Sequence, residues 1–496
     1  DLPLSGCLHG ATLRSTIPRG RIRAIRFDPD FPWDECVIAR ASDIPGKNCV
    51  ALIEEDQPLL VDVEVRHAME PVLLVAHPER ARAYEALGHI QVEYDLLEPA
   101  LTMEEALAGK APVRAPDNVV KRIAIDKGEV DAALAGADFV VEGEYRVPHQ
   151  EQAYIENQGM TARFEDDGTL RIEGSLQCPY YVQKALARAF DLAEEKIRVV
   201  QAATGGGFGG KEEYPSMVAA HAALLAGKAG RPVKIVYDRT EDMLATTKRH
   251  PARIRHRTGV TKEGRLVAQD IDILMDAGAY TTLSAVVLSR GALHATGPYE
   301  CPNVRVRACA VATNTPPNGA FRGFGAPQTI FAAEMHWERI AAVLKKDSLR
   351  LRRRTLVREG SETATGQVLV ESVGAGDVLE SVVRRGRYEE KKREHARWNR
   401  NRKNPTWRGI GVSVGHLGAG FTGSGEAFLA SRAAIALTRQ GQFRVLAAST
   451  EIGQGTISMF TDLAARTLGV PREWVVIERA DTGPVSYTHL TLPTIT

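Results

Sequence analysis

Two glycine-rich segments constrain this 496-residue chain more than any other feature of its sequence. Residues 205–212 read Gly-Gly-Gly-Phe-Gly-Gly-Lys-Glu, and residues 320–328 read Ala-Phe-Arg-Gly-Phe-Gly-Ala-Pro-Gln. Glycine permits positive φ angles and lets main-chain N–H groups approach a ligand closely. Each segment also sets an aromatic ring beside a charged side chain. Together they predict a pocket for a flat polar ring and a bulky anionic ligand.

The first segment alone also fits a dinucleotide-binding loop. Three of its glycines satisfy the G-x-G-x-x-G pattern: Gly205, Gly207 and Gly210. The pattern lies between a predicted strand (residues 197–202) and a predicted helix (residues 217–225), and a second predicted strand ends at Asp238, which would bind a ribose. On this alternative the protein is an NAD-binding dehydrogenase.

Composition excludes several other classes of protein. Lys plus Arg number 63 against 62 for Asp plus Glu, so neither a nucleic acid nor a membrane surface is expected as a partner. No apolar run approaches the length of a membrane span, and no signal peptide pattern opens the chain. The six cysteines contain no C-x-x-C pair, so this chain is not expected to hold an iron–sulfur centre or a structural zinc ion. Reduced thiols in a cytoplasmic protein are expected instead.

Hydrophobic periodicity predicts an α+β chain in three units. Residues 1–108 mix helices with short strands, one of them at residues 61–65, and a linker follows. Residues 125–386 form the second unit. A basic stretch, residues 384–403, is predicted as a solvated linker helix. The third unit covers residues 405–485.

Five motifs in a fixed order resemble one family. They are, in order, Tyr154-Ile155-Glu156, the first glycine-rich segment, Lys248-Arg249-His250-Pro251, the second glycine-rich segment and Glu451-Ile452-Gly453-Gln454-Gly455. Two further stretches that match the family's amino-terminal domain, residues 8–15 and 41–48, precede them. The chain is similar to the molybdenum-binding subunit of the xanthine dehydrogenase and aldehyde oxidase family of molybdenum hydroxylases. The resemblance implies an α/β hammerhead-like domain over residues 1–108, a molybdopterin-binding α+β domain over residues 125–386 and an incomplete second one over residues 405–485. Residues 486–496 do not resemble the family's continuation and are interpreted as a non-native tail.

The resemblance also implies a cofactor site. Its cofactor is molybdenum-molybdopterin, whose nucleotide form the motifs leave open, and 2Fe-2S and FAD cofactors would lie on other domains or subunits. The residues that match cofactor-binding positions are Gln177, Gly207, Phe208, Gly209, Arg322 and Gln454. Of these, the residues that match contacts around the molybdenum are Gln177, Phe208 and Arg322. An amide N–H and a guanidinium suit anionic oxygens and sulfurs without acting as metal ligands.

The resemblance to this family also implies a substrate site. The residues that match substrate contacts are Glu212, Arg290, Phe324, Phe421 and Thr422. A glutamate at position 212 and an arginine at position 290 match xanthine dehydrogenases, whereas aldehyde oxidases carry an apolar residue at position 212. Purine-like substrates are therefore favoured over another N-heterocycle or an aldehyde. The alternative to substrate recognition is that Glu212 only forms an ion pair with Lys211 or Arg322.

These matches lead to one functional expectation. The protein is expected to oxidise xanthine or hypoxanthine with oxygen from water, in the cytoplasm, within an oligomer that includes iron–sulfur and FAD subunits. The family's general-base glutamate lies beyond the last residue of this chain, so the 496 residues by themselves are expected to be inactive. A non-catalytic fragment is the third alternative.

Overall fold

The computed structural model describes residues 4–50, 52–418 and 433–483, and this part of the chain has an α+β fold, as predicted. Its strands are β1 Leu8–Arg14, β2 Gly20–Phe27, β3 Val37–Ala39, β4 Glu64–Val65, β5 Pro71–His77, β6 Ile90–Leu96, β7 Val119–Lys127, β8 Phe139–Val147, β9 Gly159–Phe164, β10 Leu170–Gly174, β11 Ile197–Gln201, β12 Val233–Val236, β13 Ala252–Val260, β14 Leu266–Gly278, β15 Val304–Ala312, β16 Ala434–Leu437, β17 Phe443–Leu446 and β18 Val475–Ile477. Its helices are α1 Arg80–Gly88, α2 Met103–Leu107, α3 Val130–Ala135, α4 Pro179–Phe190, α5 Pro215–Ala229, α6 Arg239–Ala245, α7 Ser284–Leu293, α8 Ala326–Leu344, α9 Ser348–Thr355, α10 Ala375–Arg385, α11 Tyr388–Arg400 and α12 Thr456–Leu468.

A seven-stranded sheet joins the first two units that the sequence predicts. Its strand order is β11-β10-β9-β12-β1-β5-β3, and β1 pairs in parallel with β12, with Leu8 opposite Val233. Every residue of β5 is buried. Helix α5, rich in alanine and leucine, is buried along most of its length against this sheet. Pro215 suits the first turn of α5, and Gly230 ends it in a left-handed conformation.

A second, five-stranded sheet lies in the middle of the chain. Its order is β7-β15-β14-β13-β8, and helices α7 and α8 pack against it. A large apolar core of isoleucine, valine and alanine side chains fills the space between them. Helix α8 begins within the second glycine-rich segment, so the sheet and α7 provide a rigid base for that segment.

Two smaller sheets complete the described part, β4-β2-β6 near the amino terminus and β16-β17-β18 beside α12. Two expectations need correction. The strand predicted at residues 61–65 is shorter in the structure and covers only Glu64–Val65. Val63, just before it, is 60% exposed. The basic linker helix is interrupted, because Arg387 takes a left-handed φ of 50° between α10 and α11.

The strand order contradicts the dinucleotide-binding alternative. In that fold the two strands joined by the helix lie side by side, whereas β10 and β9 separate β11 from β12. Helix α5 begins at Pro215, beyond the last glycine of the segment. Asp238 is occupied as the cap of α6, where its carboxylate accepts a hydrogen bond of 2.7 Å from the Glu241 N–H. Within the described ranges no helix is both long and apolar enough to cross a membrane.

Candidate functional site

The two glycine-rich segments lie against each other. The Arg322 N–H donates to the Phe208 carbonyl over 2.9 Å, and the Gln152 side-chain amide donates to the Ala320 carbonyl over 2.9 Å. A Cβ atom at Gly209 would lie 2.8 Å from the Ala320 carbonyl, so this close approach requires glycine. The structure therefore brings together the two regions that were assigned to one pocket from the sequence.

Both phenylalanines of this pocket adopt left-handed main-chain angles. Phe208 has a φ of 53° and Phe324 a φ of 51°, and each is followed by a glycine with a φ of 98°. A non-glycine residue in this region costs roughly 1–2 kcal/mol. Residues kept in such a conformation cluster at functional sites. The ring of Phe208 is 42% exposed, so it can serve as a wall for a ligand.

Gln177 follows β10 and is held by the first segment. Its main-chain N–H donates to the Lys211 carbonyl over 2.7 Å. Its Oε1 accepts hydrogen bonds from the N–H groups of Gly209 at 2.9 Å and Lys211 at 3.3 Å. These two bonds determine the orientation of the side-chain amide. They place Oε1 against the first segment, and the role of Nε2 as a donor to an anionic group stays a prediction from the sequence.

A buried ion pair anchors the first segment from behind. The Lys211 side chain is 0% exposed, and its Nζ donates to Glu156 Oε2 at 3.0 Å and to Ser175 Oγ at 2.7 Å. Burial lowers the pKa of Lys211, and Glu156 partly offsets this effect. Glu156 also accepts a 2.6 Å hydrogen bond from the Gly205 N–H. Lys211 thus forms its ion pair with Glu156 and not with Glu212. The alternative that Glu212 serves only as the ion-pair partner of Lys211 is therefore wrong.

Two consecutive carboxyl groups follow Lys211 into the interior. Glu212 is 3% exposed and Glu213 is 4% exposed. Burial raises the pKa of Glu212 well above its usual value, and the Glu213 carboxyl adds to this rise. Burial also raises the pKa of Glu213 to about 7, although its Oε1 accepts a 3.0 Å hydrogen bond from the Ala320 N–H. This rise favours the protonated form of the Glu212 carboxyl, which can donate a hydrogen bond.

Arg290 and Phe324 lie on adjoining elements. Arg290 is near the carboxyl end of α7, and its Nη1 donates to the Gly418 carbonyl over 3.3 Å. Burial lowers its pKa. A Cβ atom at Gly325 would lie 2.9 Å from the Gly291 nitrogen, so the second segment rests directly on α7. Glu212 is linked to the same segment through its neighbour Glu213.

The loop that carries Gln454 contacts Gln177. The Thr450 hydroxyl donates to the Gln177 carbonyl over 3.0 Å. The Gln454 amide is turned back into its own loop, where Nε2 donates to the Thr450 carbonyl at 2.8 Å and to Thr456 Oγ1 at 2.7 Å. Phe421 and Thr422 lie outside the described residues.

Three residues of the site had no role predicted from the sequence: Glu156, Ser175 and Glu213. Glu156 and Ser175 stand within or beside motifs that were recognised, and both hold Lys211. Glu213 is the neighbour of a residue that was recognised. In the described ranges, no three His, Cys, Asp or Glu side chains are grouped so that they could hold a metal ion.

Comparisons with known proteins agree with this geometry. A family model for a molybdopterin cofactor-binding domain matches residues 112–356, and a second model of the same description matches residues 381–493. The model for the aldehyde oxidase and xanthine dehydrogenase a/b hammerhead domain matches residues 1–98. The three ranges follow one another along the chain.

Individual proteins are similar over long stretches. The nicotinate dehydrogenase large molybdopterin subunit of Eubacterium barkeri is 37% identical over 383 residues, which are 77% of this chain and 89% of that protein. A probable xanthine dehydrogenase subunit of Bacillus subtilis (strain 168) is 34% identical over 98% of this chain and 64% of its own length. The aldehyde oxidoreductase structure from Desulfovibrio gigas matches with a TM-score of 0.87 at 27% identity, over 98% of this chain and 54% of that one. This chain therefore spans less than two thirds of the last two proteins.

Proposed function

This chain belongs to the xanthine dehydrogenase and aldehyde oxidase family of molybdenum hydroxylases, and we propose that it binds the molybdopterin and the substrate in an enzyme that hydroxylates a purine-like heterocycle. The proposed substrates are xanthine and hypoxanthine. The observation that carries this proposal is the buried carboxyl of Glu212, which ends the first glycine-rich segment and whose pKa is raised by burial.

The residues of the two segments fit a flat anionic cofactor. The first segment holds Gln177 Oε1, and Arg322 carries an exposed guanidinium. Phe208 adds an exposed ring, with Gly207 and Gly209 on either side. When bound, molybdopterin supplies a molybdenum centre that accepts two electrons from the substrate. We propose that Gln177, Phe208 and Arg322 hold its polar groups by hydrogen bonds and charge, and that Gln454 contributes from the neighbouring loop.

Glu212 and Arg290 are proposed to bind opposite edges of the ring. A protonated carboxyl can donate to a ring nitrogen and accept from a ring N–H at the same time, as a purine edge requires. A guanidinium with a lowered degree of solvation stabilises negative charge that develops on the ring. The ring of Phe324 would lie against one face of the heterocycle. Phe421 and Thr422 remain predictions from the sequence.

Nicotinate is the second candidate substrate. The relative with 37% identity is a nicotinate dehydrogenase subunit. The carboxylate of nicotinate would be attracted by Arg290, and burial, which raises the pKa of Glu212, weakens the repulsion from that carboxyl.

The partners are also proposals. The electrons are proposed to leave through iron–sulfur and FAD subunits, since the six cysteines of this chain are scattered. We further propose an oligomeric enzyme in the cytoplasm, where thiols remain reduced.

The test compares Glu212→Val with Glu212→Gln in the full enzyme with its partner subunits. We expect the valine variant to lose about 10- to 100-fold in kcat/KM for hypoxanthine and xanthine, as the loss of one or two hydrogen bonds implies. The glutamine variant keeps a neutral donor and acceptor and should lose much less. Benzaldehyde, which lacks ring nitrogens, should be affected little by either substitution.

Several outcomes would contradict the proposal. Equal losses on heterocycles and on benzaldehyde would mean that Glu212 has a structural role. A higher kcat/KM for nicotinate than for either purine in the unsubstituted enzyme would favour the second candidate. A purified enzyme without molybdenum, or one that oxidises no heterocycle, would refute the function itself.

A further inference from the structure

A narrow cleft reaches Glu213 from the side of the amino-terminal unit. It lies between residues 52–57 and the start of α5, and its space for water centres, about 10 Å³, is room for about one water molecule. The polar residues along it are Glu54, Asp56, Gln57, Glu213, Thr247 and Thr282. The cleft therefore connects the interior behind the first glycine-rich segment with the protein surface.

The inner end of the cleft carries polar atoms that the described residues leave without hydrogen-bond partners. Glu213 Oε2 and Thr247 Oγ1 are both fully buried and have no hydrogen-bond partner there. The Thr247 hydroxyl partly offsets the rise in the pKa of Glu213, although its geometry falls short of a full hydrogen bond. Buried polar atoms of this kind are usually satisfied by water. Water that enters the cleft would complete both groups.

The outer end carries two carboxylates at the surface. The Glu54 side chain is 36% exposed and forms an ion pair of 2.6 Å with Arg114. The Asp56 side chain is 21% exposed, and its Oδ2 accepts a 2.7 Å hydrogen bond from the Thr281 N–H. Carboxyl groups thus stand at both ends of the cleft.

The chemistry of hydroxylation requires a path for protons. When water supplies the oxygen, R–H and H₂O give R–OH with two protons and two electrons. In the proposed function the electrons leave through the iron–sulfur and FAD partners, and the protons must reach solvent separately. Glu212 is buried, and the Glu213 carboxyl is close enough to raise its pKa.

We propose that Glu213 relays protons between Glu212 and solvent through this cleft. A proton released by the reaction forms an O–H bond on one oxygen of Glu212 as the existing O–H bond of Glu212 breaks and an O–H bond forms on the deprotonated Glu213 carboxyl. Glu213 then passes that proton to water in the cleft, so both carboxyls return to their starting states. This inference rests on the proposed function for the origin of the protons. It is independent of that function that Glu213 lines the cleft and directly follows Glu212 in the chain.

Other titratable groups also face the pair. Cys178 and Tyr181, at the start of α4, are close enough for both carboxyls to raise their pKa, after the larger effect of burial. Tyr214 lines the cleft beside Glu213, and burial raises its pKa. All three are neutral near pH 7. Of this cluster, Glu213 is the group whose pKa is raised to about 7, within that range.

Glu213→Gln separates the relay from the structural role of Glu213. The glutamine Oε1 can still accept the hydrogen bond from the Ala320 N–H, but the side chain cannot carry a proton. The first measurement is the infrared carbonyl band of protonated carboxyls after transfer into D₂O, with Glu212→Gln to identify the Glu212 band. We expect Glu212 to exchange at least about tenfold more slowly in Glu213→Gln. Equal exchange rates would overturn the relay, and this readout requires no turnover.

The second measurement follows proton release during turnover of the full enzyme, with a pH indicator in weak buffer. Proton release should lag behind substrate oxidation in Glu213→Gln at unchanged molybdenum content and KM, and to a smaller extent in Asp56→Asn at the mouth. The matched control is Asp276→Asn, because Asp276 is buried, has a pKa raised by burial to about 6 and does not line the cleft. Release that keeps pace with oxidation in Glu213→Gln would refute the relay. An unsubstituted enzyme that oxidises no heterocycle would refute the proposed function but leave the exchange test standing.

Discussion

The Glu213→Gln substitution should change how the free energy of unfolding depends on pH. Burial raises the pKa of Glu213 to about 7 in the folded protein, against 4.5 for an ordinary glutamate. The folded state therefore binds this proton more tightly than the unfolded state, and stability falls as the pH rises from 4.5 to 7. The difference between the two pKa values corresponds to about 3 kcal/mol at pH 8.

The variant lacks this titration. Well below pH 4.5 the carboxyl is protonated in both states, so the difference in the free energy of unfolding between the two proteins there reflects only the replacement of the carboxyl by an amide. Between pH 4.5 and 7 the free energy of unfolding of the unsubstituted protein should fall relative to the variant, by about 3 kcal/mol in total. Removal of the Glu213 charge also removes its contribution to the raised pKa of Glu212. This effect, too, makes the variant more stable relative to the unsubstituted protein as the pH rises.

Urea titrations from pH 4 to pH 8.5 would measure this dependence. Glu359→Gln, at an exposed carboxylate, is the control for the loss of a glutamate at the surface. A difference between the unsubstituted protein and Glu213→Gln that stays constant over this range would refute the reasoning. It would mean that the carboxyl is solvated in the folded protein as it is in the unfolded chain.

Three further substitutions test the site. Gln177→Ala should lower kcat of the full enzyme about 10- to 100-fold, because a hydrogen bond to a charged group contributes about 1.5–3 kcal/mol; unchanged kcat at unchanged molybdenum content would exclude this role. Lys211→Met should lower the free energy of unfolding, measured by urea titration, by about 2 kcal/mol. This loss is smaller than for a fully buried ion pair because the Glu156 side chain is 42% exposed. A second substitution, Glu156→Gln, should restore part of the lost stability. Without such a loss, the buried pair would not be an anchor. Phe208→Gly should change stability by less than about 1 kcal/mol, since relief of its left-handed conformation offsets lost contacts, but should lower the molybdenum content measured per chain; full occupancy would contradict a cofactor contact.

The sequence predicted those parts of the site that local pattern and motif order determine. The glycines of the two segments were expected to allow positive φ angles, and Gly209 and Gly325 adopt them. Gln177 was expected to offer an amide donor, and its oxygen is indeed held by the first segment. In both cases the residue type restricts the chemistry strongly, and its neighbours in sequence supply the remaining contacts.

The remaining features depend on contacts between distant segments. The βαβ pattern around residue 205 is the same in a dinucleotide-binding fold, and only the positions of β9 and β10 between its strands exclude that fold. The partner of Lys211 is 55 residues away, and the cleft at Glu213 is built by a loop of the amino-terminal unit. Neither periodicity nor spacing along the chain contains this information.

The three consecutive charged residues after the glycines differ in how far the fold supplies partners for their buried polar atoms. Lys211, Glu212 and Glu213 are all at most 4% exposed, and burial of an ionisable group is costly unless a partner compensates it. Glu156 compensates Lys211, and the Ala320 N–H holds one oxygen of Glu213. In the part of the chain that the structure describes, Glu212 Oε1 and Glu213 Oε2 have no hydrogen-bond partner, and Glu213 Oε2 belongs to a residue that lines the cleft. A buried polar group that the fold leaves unsatisfied is best explained by a partner that arrives from outside. Lys211 is thus compensated within the segment, whereas the unsatisfied oxygens of the two glutamates are the atoms that we propose water in the cleft completes at Glu213 and a substrate completes at Glu212.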